Sequence, residues 1–214
     1  MYVKALIAPP FSYPLPLFKS QARTATVLDN RITEREWIDA TLQGDEHAFR
    51  RIVDNYIDEV SRTVTGMLGP GPEIDDVVQE VFIKLHRSLA SFRGDASLKT
   101  YVVRMAINKS LDALRKRKRS RWMQPFSPDD PWEPASDDVA DSDIADRERH
   151  ASLRSAVNRL PEGQRAVVVL RLIEDFSTEE TARILDIPYG TVLSRLKRGV
   201  EKLKKELGNT SGWA

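Results

Sequence analysis

The stretch STEETARILDIPYGTVLSRLKRG, residues 177–199, decides how the rest of this chain is read. Ser177 and Glu180 have the spacing of a capping box, in which the hydroxyl takes an orphan helix amide and the carboxylate takes the cap's own amide. They open a short helix that carries Thr181, Ala182, Ile184 and Leu185. Asp186-Ile187-Pro188 is a three-residue turn, and Pro188, with no amide to donate, suits the first position of a second helix over about 189–207. A short helix, a tight turn and a longer amphipathic helix make a helix-turn-helix. Val192, Leu193, Leu196, Val200 and Leu203 are expected to face the first helix. That leaves Thr191, Ser194, Arg195 and Arg198 outward, where the early residues of such a helix meet base edges in the major groove. Between Arg183 and Lys205 there are seven Lys/Arg against Asp186 and Glu201. Cationic decoration of a helix C-terminus is also what the helix dipole favours, but turn, spacing and charge together point to DNA.

Upstream of this motif the pattern remains helical. Thr33 and Glu36 have capping-box spacing, and Gly44 ends the short helix they would open. Asp45 starts a second helix, in which Phe49, Ile52, Val53, Tyr56, Ile57 and Val60 recur at i, i+3, i+4 and form a core-facing stripe. The Gly- and Pro-rich run Gly66 to Pro72 is read as a break. A third helix repeats the stripe with Ile74, Val77, Val78, Val81, Phe82, Leu85 and Leu89, and presents Asp75, Asp76, Gln79, Glu80 and Lys84 on its other face. The loop Ser91-Phe92-Arg93-Gly94-Asp95 precedes a long helix from about Ser97 to Lys118. Residues Lys109 to Arg121, at the end of that helix, hold seven Lys/Arg and one acid, Asp112. Basic charge beside Phe92, Tyr101 and Asn108 suits unstacked single-stranded bases, which bind by stacking and by hydrogen bonds at their edges.

Composition then reverses. Residues 127–146 hold eight acids, three prolines and no basic residue. So little apolar material cannot support a core, and a flexible acidic linker is expected. Helical periodicity resumes near Ile144 with Leu153, Val157 and Leu160 inward. Pro161-Glu162-Gly163 breaks it before a helix over about 163–174. The expected fold is all-α: two small helical domains, over 33–121 and 147–208, joined by a linker over 122–146. Residues 1–32 are expected to be a flexible extension and 209–214 a tail. Each domain is small enough to be only modestly stable alone.

The 214 residues include 33 Lys+Arg and 32 Asp+Glu, so no global field announces a polyanionic partner, and the position of each charge carries the information. No cysteine is present, which excludes disulfides, thiol catalysis and Cys-ligated zinc. The longest apolar run, Ala166 to Leu170, is far short of the roughly 20 residues of a membrane span. Pro9, Pro10, Pro14 and Pro16 interrupt any signal-peptide core near the start, so a cytoplasmic chain is expected. His47, His86 and His150 lack metal-ligand spacing. Gly66, Gly69 and Gly71 lack the Gly-Lys-Ser/Thr of a phosphate loop. Ser194-Arg195-Leu196-Lys197 matches an acylase motif only by letter. No catalytic, metal or cofactor site is read, and an enzyme is not expected.

Taken in order, DDVVQEVFIKL (75–85), SFRGD (91–95), MAINKSLDALRKRKR (105–119), LPE (160–162) and GTVLSRLKRG (190–199) resemble bacterial RNA polymerase sigma factors of the extracytoplasmic-function group. The first three lie in what looks like region 2 and the last two in region 4. The resemblance covers about residues 34–119 and 145–207. It implies that Asp76, Gln79 and Glu80 dock on core RNA polymerase. It also implies that Phe92 and Asn108 hold melted −10 promoter bases, that Arg93 and Tyr101 belong to the same −10 DNA-binding surface, and that Arg115, Lys116, Arg117 and Arg119 hold nearby phosphates. Thr191, Ser194, Arg195, Lys197 and Arg198 match the surface that reads the −35 element. The linker would thread towards the polymerase channel, and an anti-sigma factor is an implied partner. Where the family usually reads Thr-Trp-Leu, this chain has Thr100-Tyr101-Val102, with less aromatic surface for stacking. The rival reading is a LuxR-type helix-turn-helix regulator acting on duplex DNA without core polymerase. That class needs an α/β sensory domain, and residues 34–119 show no strand-helix alternation.

Overall fold

The computed structural model describes residues 27–123 and 144–208; most of the acidic linker, the first 26 residues and the tail lie outside the described residues. Among the described residues there are helices, turns and bends and no strand. In chain order the helices are α1 (Val27–Leu42), α2 (Glu46–Leu68), α3 (Glu73–Ser88), α4 (Leu98–Met123), α5 (Ile144–Asn158), α6 (Glu162–Val168), α7 (Thr178–Leu185) and α8 (Tyr189–Gly208). None of them is long and apolar enough to cross a membrane.

Local chemistry explains several of the boundaries. Asp45 caps α2 by accepting from the amides of His47 and Ala48 at 2.8 and 3.3 Å. The Ser177–Glu180 capping box is complete: Glu180 N donates to Ser177 Oγ at 3.1 Å, and Ser177 N donates to Glu180 Oε2 at 2.8 Å. Hydrogen bonding from Ser177 to the anionic form, foremost from its backbone amide, holds the Glu180 carboxyl below its ordinary range. Asp186 ends α7 in the left-handed region, with φ of 52°.

Four expected boundaries shift. The first helix begins at Val27, so Thr33 lies inside it rather than at its N-cap. The expected break at Gly66 falls later. Residues 66–68 remain helical, and α2 ends at Gly69, whose φ of 75° suits a residue without a Cβ. The long basic helix runs beyond Lys118 to Met123. Pro188 sits one residue before α8 and acts through its carbonyl, which accepts from the amides of Thr191 and Val192.

The first core joins α2, α3 and α4 through Ile52, Tyr56, Val60, Val81, Leu85 and Val102, as the helical stripes predict. Trp37 and Ile38 of α1 pack on its edge. In the second lobe, Leu153 and Val157 of α5, with Leu160 just past its end, meet Val168 of α6 and Leu203 of α8. At Gly199 a Cβ would stand 2.9 Å from Val168 Cγ2, so only glycine lets α8 approach α6 this closely. Beyond Val168 the chain widens into a π-type turn, Val169–Ile173.

A further cluster lies between the lobes. Met67 of α2 and Val103 and Ile107 of α4 are buried together with Ala166, Val169, Leu170, Phe176 and Ile184. Arg165, only 7% exposed, is buried at the same seam. Its Nη1 donates to Met67 O at 2.6 Å, and its Nη2 donates to Asn158 O and, at 3.1 Å, to Leu160 O. A single guanidinium thus satisfies carbonyls at the C-terminal ends of α2 and α5, where a cation also complements the helix dipole. Two glycines on the N-terminal side make room for the contact. A Cβ at Gly66 would stand 3.0 Å from Val169 Cγ2, and one at Gly69 would stand 2.9 Å from Asn158 Cγ. The two expected domains therefore pack against one another as well as around their own cores.

Candidate nucleic-acid interface

The helix-turn-helix presents α8 as an amphipathic rod whose inward face is Val192, Gly199 and Leu203. Leu196 packs partly against the core of the second lobe. Ser194, Lys197 and Arg198 are exposed, and Thr191 is half-buried. Ser194 Oγ donates to Thr191 O at 3.1 Å, which uses its proton on its own helix and leaves its lone pairs outward. Lys197 pairs loosely with Glu201 one turn on, at 4.0 Å. Arg195 is half-buried, and a Cβ at Gly163 would meet its Nη1 at 3.1 Å, so this guanidinium rests over the start of α6.

The inward set read from the sequence needs one correction. Leu193 does not face α7; it is 46% exposed. The residue lies beyond the edge of the buried stripe, in which Val192 is buried and Leu196 partly buried. Tyr189, one turn earlier, is 49% exposed.

The second basic surface is the far half of α4. Asn108, Lys116, Lys118 and Arg119 are exposed. Arg115 is exposed and pairs with Asp112 at 2.9 Å. Arg117 differs from its neighbours. It is half-buried, pairs with Glu73 at 2.6 Å and donates to Leu68 O at 3.0 Å, so it ties α4 to the end of α2 and the start of α3. Phe92 and Tyr101 come together with ring centroids 5.0 Å apart and planes inclined by 46°. Both lie on the rim of the first core. Arg93 beside them is exposed.

The third surface is the polar face of α3, where Asp75, Asp76, Gln79 and Glu80 are exposed in the first turns. Glu80 is not isolated, because Lys109 Nζ of α4 reaches its Oε2 at 2.7 Å. This ion pair couples the acidic face to the basic helix. Ile83, 48% exposed, adds an apolar side chain beside Glu80. His86 is exposed and packs edge-on against Phe49, with centroids 4.7 Å apart.

Sequence reasoning placed these three faces but missed Ile83, Tyr189, Leu193 and Arg165. A single exposed apolar residue leaves no periodic trace. A buried arginine reads in sequence like any surface arginine.

Comparison with known proteins places the chain in a family. Residues 52–120 match the family Sigma-70 region 2, and residues 150–203 match Sigma-70, region 4. The ECF RNA polymerase sigma factor SigW of Bacillus subtilis is 33% identical over 176 residues, which is 77% of this chain and 91% of that protein. The ECF RNA polymerase sigma-E factor of Escherichia coli K12 is 32% identical over 189 residues, 84% of this chain and 97% of that protein. Among solved structures, CnrH in complex with the cytosolic domain of CnrY shares the fold. Its TM-score is 0.62 at 23% identity, over 84% of this chain and 99% of that one. The sigma factor RpoE from Bartonella quintana, in complex with the anti-sigma factor NepR, has a TM-score of 0.60 at 22% identity, over 76% and 98% of the two chains.

Proposed function

The chain belongs to the extracytoplasmic-function family of RNA polymerase sigma factors, and we propose from that premise how its faces divide the work of starting transcription. The N-terminal lobe, about residues 33–121, docks on core polymerase through Asp76, Gln79 and Glu80, with Ile83 as an apolar anchor among them. Phe92, Arg93, Tyr101 and Asn108 receive melted −10 bases by stacking and edge hydrogen bonds. Arg115, Lys116 and Arg119 hold phosphates, and Arg117 joins them while keeping α4 in place. The C-terminal lobe, about residues 147–208, reads the −35 duplex with Thr191, Ser194, Arg195, Lys197 and Arg198.

The observation that carries this reading is the register of α8. Ser194, Lys197 and Arg198 are exposed together on the helix that a helix-turn-helix offers to the major groove. Phosphate contacts from the cations set position, and base-edge contacts set sequence. The linker, about 122–146, supplies negative charge that matches a nucleic-acid channel.

The protein itself performs no covalent step; core polymerase supplies the Mg²⁺ and the chemistry. It works in the cytoplasm, where core polymerase and promoters are, and an anti-sigma factor is its regulatory partner. A LuxR-type regulator is not favoured, because the lobe preceding the helix-turn-helix is helical and matches region 2. Alone, the chain binds promoter DNA weakly, because each face makes few contacts. Mounting both lobes on core converts the second contact into an intramolecular one and raises its effective concentration.

In vitro transcription with purified core and a randomised promoter library tests the proposal. Two enriched blocks at a fixed spacing, obtained only when chain and core are both present, are expected. Selection of the same DNA by the chain without core would overturn it.

A further inference from the structure

Among the described residues four large apolar side chains stand exposed: Leu42, Ile83, Tyr189 and Leu193. Two of the four lie one helical turn apart at the start of α8, which contains the residues proposed to read duplex DNA. Residues at i and i+4 are neighbours on a helix surface, so Tyr189 and Leu193 form one apolar step, and Lys197 continues the same row. Ser194 and Arg198 lie alongside, exposed. Among the described residues Leu193 belongs to no buried cluster, whereas Val192 is fully buried and Leu203 lies in the core of the second lobe.

We propose that Leu193, backed by Tyr189, is a specificity residue that reads a thymine by its C5-methyl group in the −35 element. A leucine can neither donate nor accept a hydrogen bond, so it cannot read the polar code of the major groove. The one apolar feature in that groove is the thymine methyl. The flanking Lys197 and Arg198 match the charge of the phosphates and would bring the apolar step against the base edges. The inference rests on the −35 assignment of α8 and adds to it the base that this position selects.

The test uses reconstituted holoenzyme on a promoter selected from the randomised library. Each −35 thymine, on either strand, is replaced singly by deoxyuridine, which pairs identically and lacks only the methyl. Initiation is read as the thymine-to-uracil ratio for each protein, so differences in overall activity cancel. One position is expected to show a penalty of about fourfold for the unmodified chain, the value of one buried methyl-sized group. Leu193→Ala should bring that ratio close to one, and Leu193→Met, which stays apolar, should retain most of it. The same promoter with its whole −35 block scrambled reports the underlying assignment separately. Methyl reading is overturned by a wild-type ratio near one at every thymine while scrambling still abolishes initiation. It is equally overturned by a selected −35 block that contains no thymine on either strand, or by a Leu193→Ala protein that keeps the penalty. Indifference to scrambling overturns the −35 assignment itself, and the inference with it.

Discussion

Arg62 of α2 grips Glu174, just past the π-type turn, at two points: Nε to Oε1 and Nη2 to Oε2, both at 3.3 Å. The Glu174 side chain is fully buried, whereas that of Arg62 is 32% exposed. Burial pushes the Glu174 carboxyl above its ordinary range; Arg62 and Lys99 pull it back, and Glu59 adds to the upward push. The pair joins residues 112 positions apart in sequence and closes the seam between the lobes.

Arg62→Ala should therefore destabilise the protein in a pH-dependent way. A carboxyl whose pKa is raised by folding binds its proton more readily in the folded state. Its contribution is fully present below the ordinary Glu value and is lost as pH rises through the folded value. Removing Arg62 raises that folded value further and leaves a buried carboxylate without its cation, at a cost of about 1–3 kcal/mol near neutrality. Thermal melts should show a smaller loss in mildly acidic buffer than at neutral pH. A loss independent of pH would mean that Glu174 does not carry charge at the seam.

The seam glycines give a second handle. Gly66→Ala pushes a methyl towards Val169, and Gly69→Ala meets Asn158 while also forcing alanine into a left-handed backbone. Each should cost about 1–3 kcal/mol, seen as a lower urea midpoint. Gly44→Ala has the same backbone penalty but nothing within 4 Å, so it should cost less, about 1 kcal/mol. Equal midpoints for all three would remove packing from the account of the seam.

On α3, Gln79→Ala combined with Glu80→Ala should weaken competition for core polymerase by about thirtyfold, the threshold of an interface hot spot. The double variant also frees Lys109 from its 2.7 Å pair with Glu80. Lys109→Ala is the control that separates the two effects. If it reproduces the whole loss, the acidic face is not what core polymerase holds.

Two arginines of α8 should behave differently. Arg195→Ala should cost about 1–3 kcal/mol and relax preference at one −35 position, because a base contact is lost. Arg198→Ala should weaken all promoters alike and lower the salt slope by about 1, as a phosphate contact does. Promoter profiles measured at several salt concentrations distinguish these patterns. A uniform loss for Arg195→Ala would reassign that residue to the backbone.

Asn108→Ala should impair open-complex formation on duplex promoters by about tenfold, the value of one or two hydrogen bonds to an unstacked base, and should spare a template already melted at −10. Permanganate footprinting reads both. Normal melting would remove Asn108 from the pocket.

Much of this was legible in the chain itself because helical signals are local. The stripe Ile52, Tyr56, Val60 repeats within a few residues and lies buried in the first core. Ser177 and Glu180 carry their capping chemistry three residues apart. Thr33 and Glu36 carry the same spacing, yet the helix begins at Val27, so Thr33 is not at its N-cap position; a cap motif competes with whatever lies upstream. Leu193 adjoins the buried Val192 and is just as apolar, yet a shift of one residue turns a side chain by about 100° around the axis, and Leu193 is exposed.

By itself, the sequence determined that the chain is helical, that it carries two lobes of known order, and which helix of each bears exposed charge. Each of those facts is written in residues that are neighbours along the chain. Tertiary structure alone decided that the lobes close on each other, that Arg165 is a buried bracket rather than a surface cation, and that Gly66 serves packing rather than a break. Those outcomes depend on pairs such as Met67 with Arg165 and Arg62 with Glu174, which are distant in the chain and meet only when two apolar flanks exclude water from a common surface.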